Sequence, residues 1–280
     1  MTSPPLITII IAVFNGAKTL QQCIDSVAKQ TYPNKELIII DGGSKDGTVD
    51  LLEANNNQIS YWVSEPDRGI YNAWNKGLDK AGGEWVCFLG ADDFFLNISV
   101  LEKMSEQLVK LPIEIAVAYG QVELLTFEGA SLYAVGEAWG KVKKQFKHKM
   151  TLPHQGVMHR SRLFEQHGEF DESFRIVGDY EFLLRELKDR DAVFIPDMIL
   201  TGMRQGGVSS KPEQSLKILY EIRRAQVKHG QFIPGLTWIM ALFRVYIRVL
   251  LWRVLGESLT RKLLDLGRRM IGLPAYWTKT

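Results

Sequence analysis

The chain has 280 residues, of which 46% are hydrophobic and 24% are charged, and its formal net charge is +2. This composition is that of an ordinary globular protein, so fibrous, low-complexity and disordered chains are excluded, and the length allows one large domain with or without an appendage. The two cysteines, Cys23 and Cys87, lack metal-type spacing and are predicted to be small buried side chains in a reducing compartment.

The charge is unevenly distributed along the chain. Residues 236–280 contain eight Lys and Arg against two Asp and Glu, so this tail carries +6 and the other 235 residues carry −4. A basic end on a slightly acidic body indicates an anionic partner. Because the tail is also rich in Trp, Leu and Ile, a membrane surface fits it better than nucleic acid does.

The first 90 residues alternate between strand and helix patterns. The apolar run at residues 6–13 lacks the basic flank of a signal peptide and predicts a strand buried on both faces, in a protein body that stays in the cytosol. Further strands are predicted at residues 36–40, 59–63 and 85–89, separated by helical segments. This alternation predicts parallel βαβ units in an open α/β sheet, in which ligands bind beyond the carboxyl ends of the strands.

The remaining chain has a more mixed pattern. Strands are predicted at residues 116–119, 122–126, 193–195 and 199–203, and a helix at residues 178–188. From Pro212 onward the pattern is helical to the end, with breaks near Pro234 and Gly256.

A glycine-rich segment follows the second predicted strand. Residues 41–48 read Asp-Gly-Gly-Ser-Lys-Asp-Gly-Thr. Glycines let a backbone approach a ligand closely, and Asp41 at a strand end is able to accept a bond from a ribose hydroxyl or a base N–H. The alternative is a tight strand-to-helix turn that the aspartate caps. A dinucleotide-binding protein is disfavoured, because G-x-G-x-x-G is absent after the first strand.

Two adjacent carboxylates, Asp92 and Asp93, follow the fourth predicted strand. They repel each other and lose solvation unless something compensates. A divalent cation that holds a diphosphate is a natural compensator, since Mg²⁺ prefers one or two carboxylates plus phosphate oxygens. The alternative is a solvated turn, but the strand-end position favours the metal.

An acidic turn opens the helix predicted at residues 178–188. Asp179 is either an ordinary helix cap or a general base that takes a proton from an attacking hydroxyl, and local sequence does not decide between the two.

Two further segments are predicted to be loops over a site. One contains His154 and Gln155, and the other begins with Arg204, a residue type suited to diphosphate recognition, and continues through residues 205–207. His154 and His159 do not form a recognisable metal pair.

Together these segments resemble the family 2 glycosyltransferases of the GT-A fold. The similarity covers about residues 6–210 and depends on the order and spacing of the segments more than on any one of them. The strongest segments are residues 8–15, 30–33, 36–48, 64–77, 83–93, 153–155 and 168–174. The resemblance is greatest to bacterial enzymes of exopolysaccharide and O-antigen assembly, such as the colanic-acid type.

The resemblance implies an α/β GT-A fold, which is a Rossmann-like, mostly parallel mixed sheet flanked by helices, with a helical C-terminal extension. Residues 1–210 would form the catalytic domain, with a donor half at about 1–95 and an acceptor half at about 96–210. Residues 211–280 would form a helical, basic and amphipathic extension.

The resemblance also implies which residues bind the nucleotide-sugar donor. They are Val13, Phe14, Asn15, Asp41, Gly43, Asp67, Gly69, Asn72, Ala91 and Arg204. Val13 and Phe14 would line the base pocket, Asp41 would bond the nucleobase, and Asp67 with the turn after it would lie near the ribose and diphosphate.

The remaining implied roles concern the metal, the base and the acceptor. Asp92 matches the last carboxylate of the D-x-D motif and would hold Mg²⁺ or Mn²⁺, with help from Asp93. Asp179 matches the acid assigned as base in the Glu-Asp motif of the family. His154 and Gln155 would lie beside the donor or the acceptor.

The implied activity is inverting transfer from a UDP- or GDP-sugar to a hydroxyl of a glycan acceptor, expected to be lipid-linked, in bacterial surface polysaccharide synthesis. Two positions depart from the family pattern, since Gly90 replaces the first acid of D-x-D and Gly178 replaces the Glu of the Glu-Asp motif. The alternatives are a nucleotidyltransferase and an inactive nucleotide-sugar-binding module.

The basic tail is expected to bind the inner face of the cell membrane without spanning it. Residues 236–255 are long enough to span, but Arg244 and Arg248 near the middle each cost about 2.5–3.5 kcal/mol at a helix centre. Residues 259–270 combine an apolar stripe with an opposite basic face, which is typical of an interfacial helix. The alternative is that the tail packs on the catalytic domain or on a second subunit.

Overall fold

The computed structural model describes residues 3–126, 128–204, 214–270, 272, 273, 275, 277 and 278. The strands in these residues are β1 (Ile7–Val13), β2 (Lys35–Asp41), β3 (Tyr61–Ser64), β4 (Trp85–Gly90), β5 (Phe94–Phe95), β6 (Val117–Leu125), β7 (Ser131–Val135), β8 (Val157–Arg160) and β9 (Val193–Arg204). The helices are α1 (Leu20–Ala28), α2 (Thr48–Ala54), α3 (Ile70–Leu78), α4 (Val100–Leu108), α5 (Trp139–Phe146), α6 (Arg162–His167), α7 (Gly178–Leu187), α8 (Gln214–Lys228) and α9 (Leu236–Met270), with a 3₁₀ turn at His154–Gly156.

The strands form one mixed sheet in the order β3-β2-β1-β4-β8-β6-β9-β5, with β7 paired to β6. The first four strands are parallel to one another, as the alternation of strands and helices predicted. In the second half β8 runs antiparallel to both β4 and β6, and β7 runs antiparallel to β6. A short turn joins β6 to β7, and so short a connection cannot make the crossover that a parallel pair requires.

The core consists of two apolar layers, one on each face of the sheet. On β1, Ile9 and Ile11 face one layer and Ile10 faces the other, which explains the continuous apolar run of this strand. Helices α1, α2 and α4 cover the first face, and α3, α7 and α8 cover the second. Cys23 and Cys87 are buried and free, as predicted.

Two of the predicted strand pairs are each one longer strand. Both predicted segments at residues 116–126 lie in or next to β6, and both at residues 193–203 lie in β9. The register shifts around Gln121, and Gly120 packs so closely on β9 that a Cβ there would lie 2.6 Å from the Met198 carbonyl oxygen. Asp197 has a φ of 55°. The apparent breaks are therefore irregularities within paired strands and not strand ends.

The C-terminal helices follow the predicted breaks. Helix α9 begins at Leu236, after Pro234, and Gly256 within it has a non-helical φ of 74°. Helix α8 is part of the body, because its Ile222 and Ala225 belong to the apolar layer under α7. The predicted boundary at 210/211 lies outside the described residues. No helix in the described part of the chain has the length and apolarity needed to cross a bilayer.

Candidate active site

The loops that follow β1 and β2 form one connected surface at the carboxyl ends of the strands. Asn15, in left-handed backbone with a φ of 52°, donates its N–H to the Ser44 hydroxyl (2.6 Å), and its Oδ1 accepts from the N–H of Lys45 (3.0 Å). The N–H of Ala17 is bonded to the Asp46 carboxylate at 3.1 Å. Because each loop holds the other, a ligand meets a prepared backbone surface.

Asp41 organises the second loop from inside. Its Oδ2 accepts from the N–H groups of Gly43 (3.1 Å) and Ser44 (2.9 Å) and from the Ser64 hydroxyl (2.6 Å), and its Oδ1 accepts from the Ser44 hydroxyl. The side chain is fully buried. Donors of the loop itself therefore hold this carboxylate, and a direct bond from Asp41 to a nucleobase stays a prediction.

An aromatic ring and a carboxylate meet over the backbone of Gly42. Phe14 is 65% exposed, and a Cβ at Gly42 would lie 3.4 Å from Phe14 Cδ2 and 2.5 Å from Asp67 Oδ2. Asp67 Oδ1 also accepts from the N–H of Gly69 at 2.8 Å, where the φ of 122° requires glycine. An exposed ring can stack on a base and a neighbouring carboxylate can accept ribose hydroxyls, which is compatible with the predicted roles of Phe14 and Asp67.

Two other residues implied to bind the donor border Gly16. Val13 is buried beneath the first loop, with its Cγ2 only 2.5 Å from where a Cβ of Gly16 would lie. Ala91 is partly exposed and borders the same glycine, with 3.4 Å between its Cβ and that position. Core packing takes up the Val13 side chain, and its place in a base pocket stays a prediction.

Asn72 makes hydrogen bonds within the protein, and its contact with the donor stays a prediction. Its Oδ1 accepts from the N–H of Arg68 (3.1 Å) and its Nδ2 donates to Glu172 Oε1 (3.0 Å). Arg68 forms a salt bridge with the same Glu172 at 2.6 Å, and the Arg175 guanidinium donates to the Arg68 carbonyl. We call this set of contacts between residues 170–175 and the start of α3 the clasp.

The two adjacent acids after β4 differ in their exposure to solvent. Asp93 is 3% exposed and its Oδ2 accepts from the N–H of Gly90 at 3.0 Å, whereas Asp92 is partly exposed. Burial, followed by the charge of Asp92, raises the pKa of Asp93 well above its usual range. The Asp93 carboxyl is hydrogen-bonded to the strand end, and its help in metal binding stays a prediction.

Close packing explains why position 90 is a glycine. A Cβ there would lie 2.8 Å from Asp92 Oδ1 and 2.8 Å from Asp93 Oδ2. The carboxylates therefore occupy the space into which a side chain at position 90 would extend. No group of three or more His, Cys, Asp or Glu in the described residues could enclose a metal. The single open carboxylate of Asp92 fits Mg²⁺ or Mn²⁺ only if phosphate oxygens and water complete the ligand set.

Arg204 lies beside this acid pair, as expected. Its Nη1 donates to the Asp92 carbonyl oxygen (3.1 Å), its Nη2 to Gln22 Oε1 (2.5 Å), and its guanidinium lies over the Phe94 ring. A cation is thereby fixed where a diphosphate held at Asp92 would place negative charge. Residues 205–207, predicted as the rest of this loop, lie outside the described residues.

His154 is part of an aromatic stack and not of an open surface. Its ring lies 5.0 Å from that of Trp74 and 5.7 Å from that of Phe88, and burial lowers its pKa to about 3. The neutral ring is buried, and the contact of His154 with donor or acceptor stays a prediction. The neighbouring Gln155 is partly exposed, and its side chain interacts with the Asp93 carboxyl.

Asp179 lies in the first turn of α7 and is partly exposed. Its Oδ1 accepts from the Tyr71 hydroxyl at 3.3 Å, and burial raises its pKa to about 6. The cap position of α7 is Val177, which makes no side-chain cap bond. A Cβ at Gly178 would lie 2.7 Å from the Tyr71 ring, so this ring occupies the space at the second departure from the family pattern.

The sequence reasoning missed Tyr71, Glu172 and Arg175. Tyr71 lies inside the segment 64–77, which was recognised as a motif, and the small residue at position 178 was the only signal that a bulky ring lies against it. Glu172 lies inside the recognised segment 168–174, but nothing local indicates the partners of Glu172 and Arg175, which lie on or before α3 about 100 residues earlier in the chain.

Comparison with known proteins agrees with this geometry. The family model Glycosyl transferase family 2 matches residues 8–127. An uncharacterized glycosyltransferase of Mycobacterium tuberculosis is 32% identical over 237 residues, which cover 84% of this chain and 88% of that protein. The PGL/p-HBAD biosynthesis glycosyltransferase of Mycobacterium bovis is 32% identical over 188 residues, which cover 65% of this chain and 69% of that protein.

Solved structures show the same fold at lower identity. Staphylococcus aureus TarS 1–349 in complex with UDP-GlcNAc has a TM-score of 0.61 at 18% identity, covering 78% of this chain and 66% of that one. The mannosyltransferase PcManGT from Pyrobaculum calidifontis, in complex with GDP-Man and Mn²⁺, has a TM-score of 0.61 at 16% identity, covering 96% of this chain and 81% of that one. By its fold, its strand-end site and its relatives, the chain belongs to the family 2 glycosyltransferases.

Proposed function

We propose that this chain transfers a sugar, with inversion, from a nucleotide diphosphate sugar to a hydroxyl of a surface-glycan acceptor. The observation that carries this proposal is a pair of carboxylates in different environments. Asp92 is partly exposed at a strand end beside Arg204, and Asp179 has a pKa raised to about 6 by burial. Because the two acids lie in different environments, Asp92 is suited to charge stabilisation and Asp179 to proton transfer.

The donor half, at about residues 1–95, would hold the nucleotide on the loops after β1, β2 and β3. Phe14 would stack on the base, and Asp67 would accept hydroxyl bonds from the ribose. Asn15 and Gly43 would contribute backbone, which Asp41 holds in shape from below. The donors in the two structural neighbours, UDP-GlcNAc and GDP-Man, support a UDP- or GDP-sugar here.

Asp92 and Arg204 would hold the diphosphate. Asp92 would be the protein ligand of Mg²⁺ or Mn²⁺, as the Mn²⁺ in the mannosyltransferase neighbour suggests, and the ion would neutralise charge on the leaving nucleotide diphosphate. Arg204, whose guanidinium donates to the Asp92 carbonyl oxygen, would add a fixed cation that stabilises the negative charge developing on the leaving group.

Asp179 would take the proton from the acceptor hydroxyl. Above pH 6 its carboxylate is ionised and can accept that proton, and Tyr71 keeps the Oδ1 atom in place. A single displacement by the hydroxyl, opposite the leaving group, inverts the anomeric carbon. The acceptor half, at about residues 96–210, contributes this base.

Two other functions are tested by the same experiment. Purified protein would be incubated with UDP- and GDP-sugars and glycan acceptors, with and without Mn²⁺, and the released phosphate species would be separated. We expect a nucleoside diphosphate, released only with metal and acceptor. In a parallel incubation with a nucleoside triphosphate and a sugar phosphate, pyrophosphate release would support a nucleotidyltransferase. Tight donor binding without any release would support an inactive binding module, for which Gly90 is the main argument.

The place of action that we propose is the cytoplasmic face of the cell membrane, with a lipid-linked acceptor. Helix α9 presents a continuous apolar stripe to solvent, with side chains 42–71% exposed. The stripe consists of Leu236, Ile239, Met240, Phe243, Ile247, Leu250 and Val254. Because these side chains are exposed, the body of this chain does not cover them. The basic tail favours anionic headgroups as the cover.

Flotation with anionic vesicles tests this membrane contact. Phe243→Ser combined with Leu250→Ser should lower binding to the vesicles at least ~10-fold, because two apolar side chains that would enter the lipid are removed. Ile113→Ser is the matched control, since Ile113 is equally exposed but lies far from α9 in the chain. Binding that is unchanged in the double variant would contradict the proposal. A dimer that only the double variant dissociates would assign the stripe to a second subunit.

A further inference from the structure

Helix α8 reaches into the turn that precedes α7. Its buried residue Glu221 accepts hydrogen bonds from three consecutive backbone N–H groups. The N–H of Arg175 lies 3.0 Å from Oε1 and 3.1 Å from Oε2, that of Ile176 lies 2.9 Å from Oε2, and that of Val177 lies 3.1 Å from Oε2. The Glu221 carboxylate, which is distant in the chain, therefore fixes the three residues that precede the first turn of α7.

The contact is similar to a helix N-cap supplied from outside, although its donors belong to the three residues that precede α7. A carboxylate near a helix N-terminus is favoured by hydrogen bonding and by the helix dipole. Val177, at the cap position, makes no side-chain cap bond. A buried carboxylate is costly without partners, and here backbone donors supply them.

Helix α8 is itself firmly seated. Ile222 and Ala225 lie in the apolar layer below α7. Lys228 forms salt bridges with Asp171 (2.8 Å) and with Glu181 (3.1 Å), the second of these on α7. Glu221 therefore lies on a firmly packed helix, so its hydrogen bonds to residues 175–177 fix the start of α7 relative to α8.

Asp179 is two residues beyond the held turn. Tyr71 fixes its Oδ1 from α3, while the Arg175 guanidinium reaches the Arg68 carbonyl at the clasp. The direction of the Asp179 carboxylate is then set from three elements, namely α3, the clasp and α8. Loss of any one of them leaves the carboxylate a wider range of orientations.

We propose that Glu221 is a positioning residue for the transfer reaction, which it serves by fixing the turn that orients Asp179. The inference rests on the proposed role of Asp179 as base. This role makes α8 part of the active site, although α8 lies beyond the residues that the family motifs cover. Errors of about 1 Å in such alignment lower rates by roughly 10²-fold.

If Glu221 only stabilised the fold, its replacement would lower Tm and leave kcat and its pH dependence unchanged. The pH profile of kcat therefore distinguishes a positioning role from a purely structural one. The groups that face Asp179 are the Tyr71 hydroxyl, the N–H groups at the start of α7 and the Glu221 carboxylate, whose negative charge raises the pKa of Asp179. Removal of that charge should lower the pKa of Asp179. The acid limb of kcat, where activity falls as Asp179 becomes protonated, should then move to lower pH.

Glu221→Gln in the full chain is the test, because it keeps the shape of the side chain and removes the charge and one acceptor. We expect kcat at pH 8 to fall at least ~10-fold with donor KM within ~2-fold of wild type, and the acid limb to shift to lower pH. Ile222→Ala is the matched control, since it loosens the packing of the same helix at the next residue. It should lower Tm without shifting the pH profile.

The inference is overturned if Glu221→Gln lowers Tm as Ile222→Ala does but keeps the wild-type kcat and pH limb. Asp179→Asn distinguishes this failure from a failure of the proposed function. If Asp179→Asn is inactive while Glu221→Gln is normal, only the positioning role is wrong. If Asp179→Asn keeps wild-type turnover, the base assignment is wrong and the positioning role is wrong with it.

Discussion

Replacement of Asp92 by Asn should lower turnover at least ~100-fold and remove the response of the enzyme to Mn²⁺. Asp92 offers the one open carboxylate at the end of β4, and a neutral amide there holds a divalent ion poorly. The loss of one charge-stabilising group in such a site typically costs this much. Donor-dependent Mn²⁺ binding, measured by calorimetry beside initial rates, checks the metal separately from the chemistry.

Asp93→Asn is the matched control for this substitution, because it makes the same chemical change at the next residue. The Asp93 side chain points inward to the N–H of Gly90, so its replacement should leave Mn²⁺ binding in place and should mainly affect stability. If the two variants lose Mn²⁺ binding equally, or if the wild type keeps full activity in excess EDTA, the assignment to Asp92 is wrong.

Replacement of Asp179 by Asn should lower kcat at least ~10²-fold while donor binding is kept, as expected for the loss of one acid–base group. In the wild type, kcat should rise with pH through about 6, because burial places the pKa of Asp179 there and only the ionised form accepts a proton. Initial rates from pH 5 to 8 measure both effects.

Thermal melting of the same variant separates a base from a helix cap. Because the folded pKa of Asp179 is raised above its unfolded value, the ionised carboxylate opposes folding as the pH rises through about 6. Asp179→Asn should therefore melt at or above the wild-type temperature at pH 7.5. A cap would predict the opposite, a loss of about 1 kcal/mol with activity retained. Lower Tm together with normal kcat would contradict the proposed base.

The first half of the fold could be predicted because its signals are local. In β1 to β4 each strand is a short apolar run followed directly by a polar turn, and the topology of parallel units brings those turns together. The second half gave weaker signals. β8 has four residues and β5 has two, and neither has room for a periodic pattern. The sequence pattern of β6 is interrupted around Gln121, where its register shifts, so this one strand was predicted as two.

The candidate site was predictable in its location but not in the direction of its side chains. Asp67, Asp92, Arg204 and Asp179 lie at the expected strand and helix ends. Val13, Asn72 and His154 were expected to face a ligand and are buried, because whether a strand-end residue points up or down depends on neighbours far away in the chain. His154, for example, is stacked on Trp74, 80 residues earlier.

The two departures from the family pattern show the same limit. The sequence reveals that an acid is absent at positions 90 and 178, but not what occupies the space. At Gly90 the space is taken by the carboxylates of Asp92 and Asp93, and at Gly178 by the Tyr71 ring. Neither glycine therefore argues by itself for an inactive protein, since each permits a close contact that orders a proposed functional acid.

The clasp limits how this enzyme can be recombined with its relatives. Besides the bonds of Arg68 and Asn72 to Glu172, Asn75 donates to the Phe170 carbonyl and accepts from the Phe170 N–H, both at 3.0 Å. A hybrid that joins residues 8–127 of this chain to the second half of another transferase would separate these partners and leave buried amides unpaired. The two halves are therefore not exchangeable at that junction, and a hybrid has to retain residues 170–175 together with the start of α3 that they hold.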